Sequence, residues 1–198
     1  SLQLAEVEKK RKNTPAPQLY DLTELQRDAN KRFGYSAKET LNIMQRLYES
    51  HKVLTYPRTD SRYITTDVAD TLKERLKACS VGPYRKLAGS LSMRPIRKNA
   101  SFVDNKKVTD HHAIIPTEQF VDLQTMTNEE RKVYDLVVRR FLAVLLPAFE
   151  YDQTVFTGGL AGESFTAKGK IVKSQGWKEA YENLETDEEW EEADDLAA

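Results

Sequence analysis

Thr55-Tyr56-Pro57-Arg58-Thr59-Asp60-Ser61 sets a phenol, a guanidinium, hydroxyls and a carboxylate within one short segment, beside a proline that fixes the backbone. A phenol, with an ordinary pKa of about 10, is a weak nucleophile near neutrality and needs an activating neighbour. Arginine suits that task, because its planar fork grips phosphate oxygens in pairs and keeps its charge. Along an extended chain alternate side chains point the same way, so Tyr56 and Arg58 are expected to face one target. Pro57 cannot donate to a sheet and suits a strand end or edge. The pattern fits attack of a tyrosyl oxygen on a phosphodiester, with the arginine holding the phosphorus oxygens. A Tyr-x-Arg pair alone is more commonly a half-buried tyrosine beside a surface arginine, so the flanks matter.

Working outward, helix signals crowd the upstream side. Thr23 with Gln26 has the form of a capping box, Leu22, Leu25 and Ala29 follow helical spacing, and Gly34 ends the segment. Ser36 with Glu39 forms a second box, and Leu41, Met44, Leu47 and Tyr48 repeat at threes and fours. Two short helices joined by a Gly-containing turn read as a winged-helix-like helix-turn-helix, or as an ordinary helical hairpin. Arg27, Lys31 and Arg32 on the first helix, with Lys38 and Arg46 on the second, are candidates to meet a nucleic-acid backbone. Val53-Leu54-Thr55-Tyr56 follows as an extended piece, bringing the tyrosine out beside the helix pair.

The heptapeptide as a whole resembles the active-site segment of type IA DNA topoisomerases. Its proline after the tyrosine is similar to the topoisomerase III branch rather than the topoisomerase I branch. Asp110-His111-His112-Ala113-Ile114-Ile115-Pro116-Thr117 resembles the family's short His-containing motif. Leu47-Tyr48-Glu49 with Lys52-Val53-Leu54 resembles its lead-in to the tyrosine. The likeness runs from about Leu19 to about Tyr181. The motif usually has an acid where His112 stands and often an arginine where Ile115 stands, which puts fine DNA contacts in doubt but not the nucleophile.

The resemblance implies that Tyr56 attacks one DNA strand and is joined to its 5′ phosphate, that another strand passes, and that religation needs no ATP. It implies Arg58 as stabiliser of the pentacoordinate phosphorus and His111 as a group near the tyrosine that donates to phosphate or moves a proton. Thr59, Asp60 and Ser61 are expected to brace the loop beside the DNA, Asp60 by accepting from Arg58 or a backbone amide, and Arg62 to touch a phosphate. The family's Mg2+ is held by an acidic cluster in a separate domain. No Asp-x-Asp after a strand, Gly-rich phosphate loop or His/Cys ligand cluster occurs here. The implied partners are DNA, single-stranded at the cleavage site, and the remaining domains of the same enzyme; the implied location is cytoplasmic, at the nucleoid.

Bulk properties agree. At 198 residues the chain can bury a real core in one or two domains. No apolar run approaches the ~20 residues of a membrane span, and the single cysteine, Cys79, excludes an internal disulfide and fits a reducing cytosol. The net charge of −1 conceals an asymmetry: nine of the 31 acids lie after Tyr181 with no base among them, so the remaining 22 against all 30 bases leave residues 1–181 at +8. A basic body suits a partner made of phosphates; the acidic end reads as a solvating tail or linker.

The expected fold is α+β. Residues 1–18, opening on Ser1-Leu2 and closing on Pro15-Ala16-Pro17, read as a connection between domains, which the resemblance makes the end of a first arch segment or a linker, and the missing initiator Met suggests an excised piece. Residues 19–149 form the mainly helical tyrosine domain, with an amphipathic helix from about Thr66 to Ser80 whose apolar face includes Cys79. A polar loop with short helical pieces follows over Gly82 to Thr109, then a long helix capped by Thr127 and Glu130 and ended near Pro147. After Pro147 the period changes to two: Tyr151 to Thr157, a Gly158-Gly159 break, then Ser164 to Ser174 read as strands. The resemblance makes residues 150–181 strands of an arch domain into which the tyrosine domain is inserted, and 182–198 an acidic tail or linker. A noncatalytic DNA-binding helix-turn-helix module is the competing reading; a tyrosine recombinase or relaxase is disfavoured, lacking its wider Arg/His constellation or histidine metal triad.

Overall fold

The computed structural model describes residues 3–182; the acidic segment expected over 182–198 lies almost wholly outside the described residues. The architecture is α+β. A three-stranded antiparallel meander, β1 (Gln3–Thr14), β2 (Phe149–Leu160) and β3 (Glu163–Ser174), brackets a helical body made between β1 and β2. That body contains α1 (Leu22–Phe33), α2 (Ala37–Glu49), α3 (Thr66–Ala69), α4 (Leu72–Ala78), α5 (Arg85–Ser92) and α6 (Asn128–Val144).

The sheet is held by backbone pairing more than by burial. β1 runs Thr14↔Phe149 to Gln3↔Gly159, with a register shift between Leu4 and Glu6. Its charged run from Glu6 to Lys12 is exposed, as suits an edge strand that must not recruit another chain. The turn between β2 and β3 is Ala161-Gly162, at φ 52° and 82°, not the Gly158-Gly159 break expected from sequence. Those glycines are paired inside β2. Gly158 is needed for a close approach: a Cβ there would meet the Gln3 carbonyl at 2.8 Å and the Phe165 ring at 2.9 Å.

In the helical body α6 is the central element, buried on almost every face from Glu130 to Val144. Leu25 and Ala29 of α1, Ile43, Met44 and Leu47 of α2, and Leu72 and Leu76 of α4 share one core with Val133, Val137 and Phe141. Burying such side chains contributes about 1.5–3 kcal/mol each. The caps are only partly those expected. Ser36 accepts from the Glu39 N–H at 3.1 Å, and Thr127 and Glu130 form a reciprocal capping box. The cap of α1, however, is Asp21, which accepts from the Glu24 N–H at 2.8 Å; Thr23 already lies inside the helix, and an Asp caps at least as well as a Thr.

The single helix expected over 66–80 is two, α3 and α4. Thr71 turns its hydroxyl back onto the Val68 carbonyl at 2.7 Å, the local bonding by which Thr competes with a continuous helix. Cys79 is fully buried after α4, and burial pushes its thiol up to about 12. After β3 a short 3-10 helix, Gly176–Tyr181, returns to the helical body. There the Trp177 indole N–H donates to the Thr14 carbonyl at 2.9 Å, its backbone N–H to Pro147, and the Arg139 guanidinium to Ala180. The ends of β1, α6 and β3 are thereby tied at one junction.

Candidate active site

Helix α2 delivers the tyrosine segment. Its last turn is held from α6: Glu130, 3% exposed, takes the Arg46 guanidinium at 3.2 Å and the His51 Nε2 at 3.1 Å. The same carboxylate accepts from the Thr127 N–H. Burial pushes Glu130 upward, but the Thr127 amide, His51 and Arg46 together outweigh it and its pKa is lowered. The chain then reverses through Lys52 at φ 58° and pairs against the His-containing segment. Leu54 bridges Pro116, the Thr55 N–H donates to the Ile115 carbonyl, and the Thr117 N–H donates to Val53.

This pairing brings Tyr56 and His111, 55 residues apart in sequence, into ring contact: centroids 4.2 Å apart at 33°. Tyr48 meets the same phenol edge-on, 5.5 Å away at 80°. Tyr56 is half-buried and borders a cavity of about 730 Å³ that Tyr48, Lys52, Arg75 and Glu118 also line.

Beyond Tyr56 the extended geometry ends. The chain bends at Pro57, and the Thr59 N–H donates to the Pro57 carbonyl across Arg58. The alternation expected to aim Tyr56 and Arg58 at one face does not continue through that turn. Arg58 instead lines a second cavity, about 410 Å³, with Thr59, Asp60, Asp110 and His111. His111 thus joins the two spaces, touching the tyrosine on one side and bordering the Arg58 cavity on the other. Arg58 is exposed and makes no hydrogen bond or ion pair among the described residues. Asp60 and Asp110 share its cavity, so the lining carries both signs.

The loop is braced by hydroxyls. Thr59, 8% exposed, donates to the His111 carbonyl at 3.0 Å and accepts from the Ser61 N–H. Ser61 donates to the Lys107 carbonyl at 2.8 Å. Asp60 is exposed and accepts neither from Arg58 nor from a backbone amide among the described residues, contrary to expectation: the adjacent Thr59 and Ser61 already satisfy the turn. Arg62 pairs with Asp21 at 3.1 Å and Glu24 at 3.8 Å, and Arg27 with Glu24 at 2.9 Å. Lys31, Arg32 and Lys38 are exposed around the α1–α2 turn, about 15 Å along α2 from the end that feeds the tyrosine. The structure gathers Tyr56, Arg58, Thr59, Asp60 and His111, and leaves Lys31, Arg32 and Lys38 apart from them.

His112 is not interchangeable with His111. Its Nδ1–H donates to the Ala113 carbonyl at 2.7 Å, and burial lowers its pKa despite that bond. Sequence reasoning passed over Arg75, which donates to the Thr71 hydroxyl and the Pro116 carbonyl, and read Tyr48 only as part of the helical repeat and of the lead-in to the tyrosine, not as a ring against Tyr56. Among the described residues no three His, Cys, Asp or Glu side chains converge to hold a metal. No helix among them is long and apolar enough to cross a membrane.

A family model described as DNA topoisomerase matches residues 1–197. DNA topoisomerase 3 of Bacillus cereus is 63% identical over 184 residues, covering 93% of this chain and 25% of that protein. DNA topoisomerase 3 of Bacillus subtilis is 54% identical over 188 residues, covering 95% and 26%. The chain spans about a quarter of the length of these curated relatives. Full-length topoisomerase I from Thermotoga maritima superposes with a TM-score of 0.61 at 24% identity, over 92% of this chain and 30% of that one; at that identity the likeness is one of fold.

Proposed function

The chain belongs to the DNA topoisomerase family, in its type IA, topoisomerase III-like branch, and we propose that it carries the strand-cleaving tyrosine of such an enzyme. The phenolic oxygen of Tyr56 attacks a backbone phosphorus, the phosphotyrosine bond forms at the 5′ phosphate, and the 3′ oxygen leaves as a hydroxyl after taking up a proton. A second strand passes, and attack by that hydroxyl restores both the phosphodiester and the phenol. Because one ester replaces another, no nucleotide is consumed. The parent enzyme would in this way relax negative supercoils or unlink DNA circles.

Arg58 holds the equatorial oxygens, whose charge must be stabilised chiefly by position and electrostatics. His111, in contact with the phenol, is placed to move its proton or to donate to the phosphate. Thr59 and Ser61 hold the loop. The α1–α2 pair serves as a helix-turn-helix whose Lys31, Arg32 and Lys38 meet the DNA backbone away from the reacting bond. The magnesium implied for the family takes its ligands from outside the described residues, and the 198-residue chain alone is not expected to relax DNA.

One observation carries this reading. The half-buried phenol borders one cavity and carries on its face His111, which lines a second cavity together with Arg58. The test is Tyr56→Phe in the intact parent protein, which should abolish covalent DNA adducts while DNA binding persists. Adducts formed by that variant would defeat the proposal.

A further inference from the structure

Tyr56 also borders, with Tyr48, a cavity of about 730 Å³ that neither Arg58 nor His111 lines. Its volume lies within the range of about 300–1,000 Å³ typical of small-molecule sites. The Tyr48 and Tyr56 rings stand 80° to one another at its wall, and Leu54 supplies apolar surface. Glu49 and Glu118 line it with exposed carboxylates that enter no ion pair within hydrogen-bonding reach among the described residues. Glu49 accepts from Gln45 through one oxygen, leaving the other open. Lys52 and Arg75 line it too, Arg75 already donating to the Thr71 hydroxyl and the Pro116 carbonyl, so the lining carries both signs; its aromatic wall beside open carboxylate acceptors suits the flat, amine-bearing edge of a nucleobase.

We propose that this cavity receives one unstacked nucleobase of the cleaved strand, immediately beside the broken bond, and that its carboxylates favour a base with an exocyclic amine. The inference rests on the assignment of Tyr56 as nucleophile. The attacked phosphorus must come within about 3.5 Å of the phenolic oxygen, so the nucleotides flanking that phosphorus are the ones in reach of the cavity. Stacking holds whichever base enters, contributing about 1–3 kcal/mol by analogy with other single-strand sites. Glu49 and Glu118 then discriminate. Adenine and cytosine offer an amine to a carboxylate, whereas thymine offers a carbonyl oxygen in the same place. A hydrogen bond to a charged acceptor makes that difference about tenfold.

The experiment uses the intact parent protein and single-stranded oligonucleotides randomised around the cleavage position, with the covalent adducts isolated and sequenced. Wild-type adducts should show adenine or cytosine over thymine, by about tenfold, at one of the two nucleotides adjoining the broken bond. The E49Q/E118Q double variant should flatten the preference at that nucleotide and leave preferences elsewhere unchanged, because an amide can both donate and accept. Glu118→Lys should shift it toward thymine. Adducts with the same base profile in wild type and variants would overturn the cavity's role while leaving that of Tyr56 intact. Absence of any wild-type adduct would overturn both.

Discussion

Glu130→Ala strikes the contact that ties the end of α2 and the tyrosine segment to the centre of the fold. The lost acceptor for the Thr127 N–H, half of the capping box, costs about 1 kcal/mol. The bond to His51, from a carboxylate whose side chain is 4% exposed, is worth about 1.5 kcal/mol. Arg46, 46% exposed, adds only about 0.3 kcal/mol. Relief of carboxylate burial offsets part of this, leaving a net loss of about 2 kcal/mol. For a chain of this size that lowers Tm by about 4–8 °C, measurable by circular dichroism. The pH dependence separates charge from packing, using the near-isosteric Glu130→Gln. Because the folded carboxyl is held below its ordinary value, its charge contributes stability that is complete above about pH 5 and is lost as pH falls through the folded pKa. The gap between wild type and Glu130→Gln should therefore close on acidification from about pH 7 to about pH 3. A gap that stays constant, or a Glu130→Ala protein melting within about 1 °C of wild type, would refute the reasoning. In the intact parent, the same substitution should also reduce strand cleavage, since Arg46 and His51 fix the end of α2 that carries Tyr48 and leads to Tyr56.

Three other outcomes are expected. Arg58→Ala in the intact parent should slow DNA cleavage by about 10²–10³-fold, read as initial adduct formation on a single-stranded oligonucleotide; near-wild-type rates would remove it from the reaction. Gly176→Ala should destabilise by at least about 2 kcal/mol in urea unfolding, because its φ is 52° and a Cβ would stand 2.2 Å from the Ala148 carbonyl oxygen. Cys79, buried with its thiol pushed up to about 12, should resist alkylation by iodoacetamide at about pH 8 and react promptly once the chain is unfolded.

Local rules made much of the chain legible. The spacing of Leu25, Ala29, Met44 and Leu47 gave the helix pair its buried stripe, and Ser36 and Thr127 marked helix starts because their hydroxyls satisfy the first free amides. The change to period two after Pro147 announced strands. The errors arose where two local preferences compete. Asp21 outcompeted Thr23 as a cap, Thr71 broke one amphipathic run into two helices, and Gly158-Gly159 is kept for a crossing aromatic ring while the chain turns at Ala161-Gly162. A doublet of glycines has the same appearance in either role, and only the partner strand distinguishes them.

By itself the sequence determined the chemistry on offer: a tyrosine beside a proline and an arginine, a histidine motif farther on, and a body with more bases than acids. Tertiary structure alone decided how those groups meet. Pairing of the Thr55 and His111 segments set the imidazole on the phenol, the turn across Arg58 sent the guanidinium into a separate cavity, and the carboxylate of α6 gripped the end of α2. Each of these is a contact between residues remote in the chain, whose geometry depends on how buried helices pack and not on any local preference.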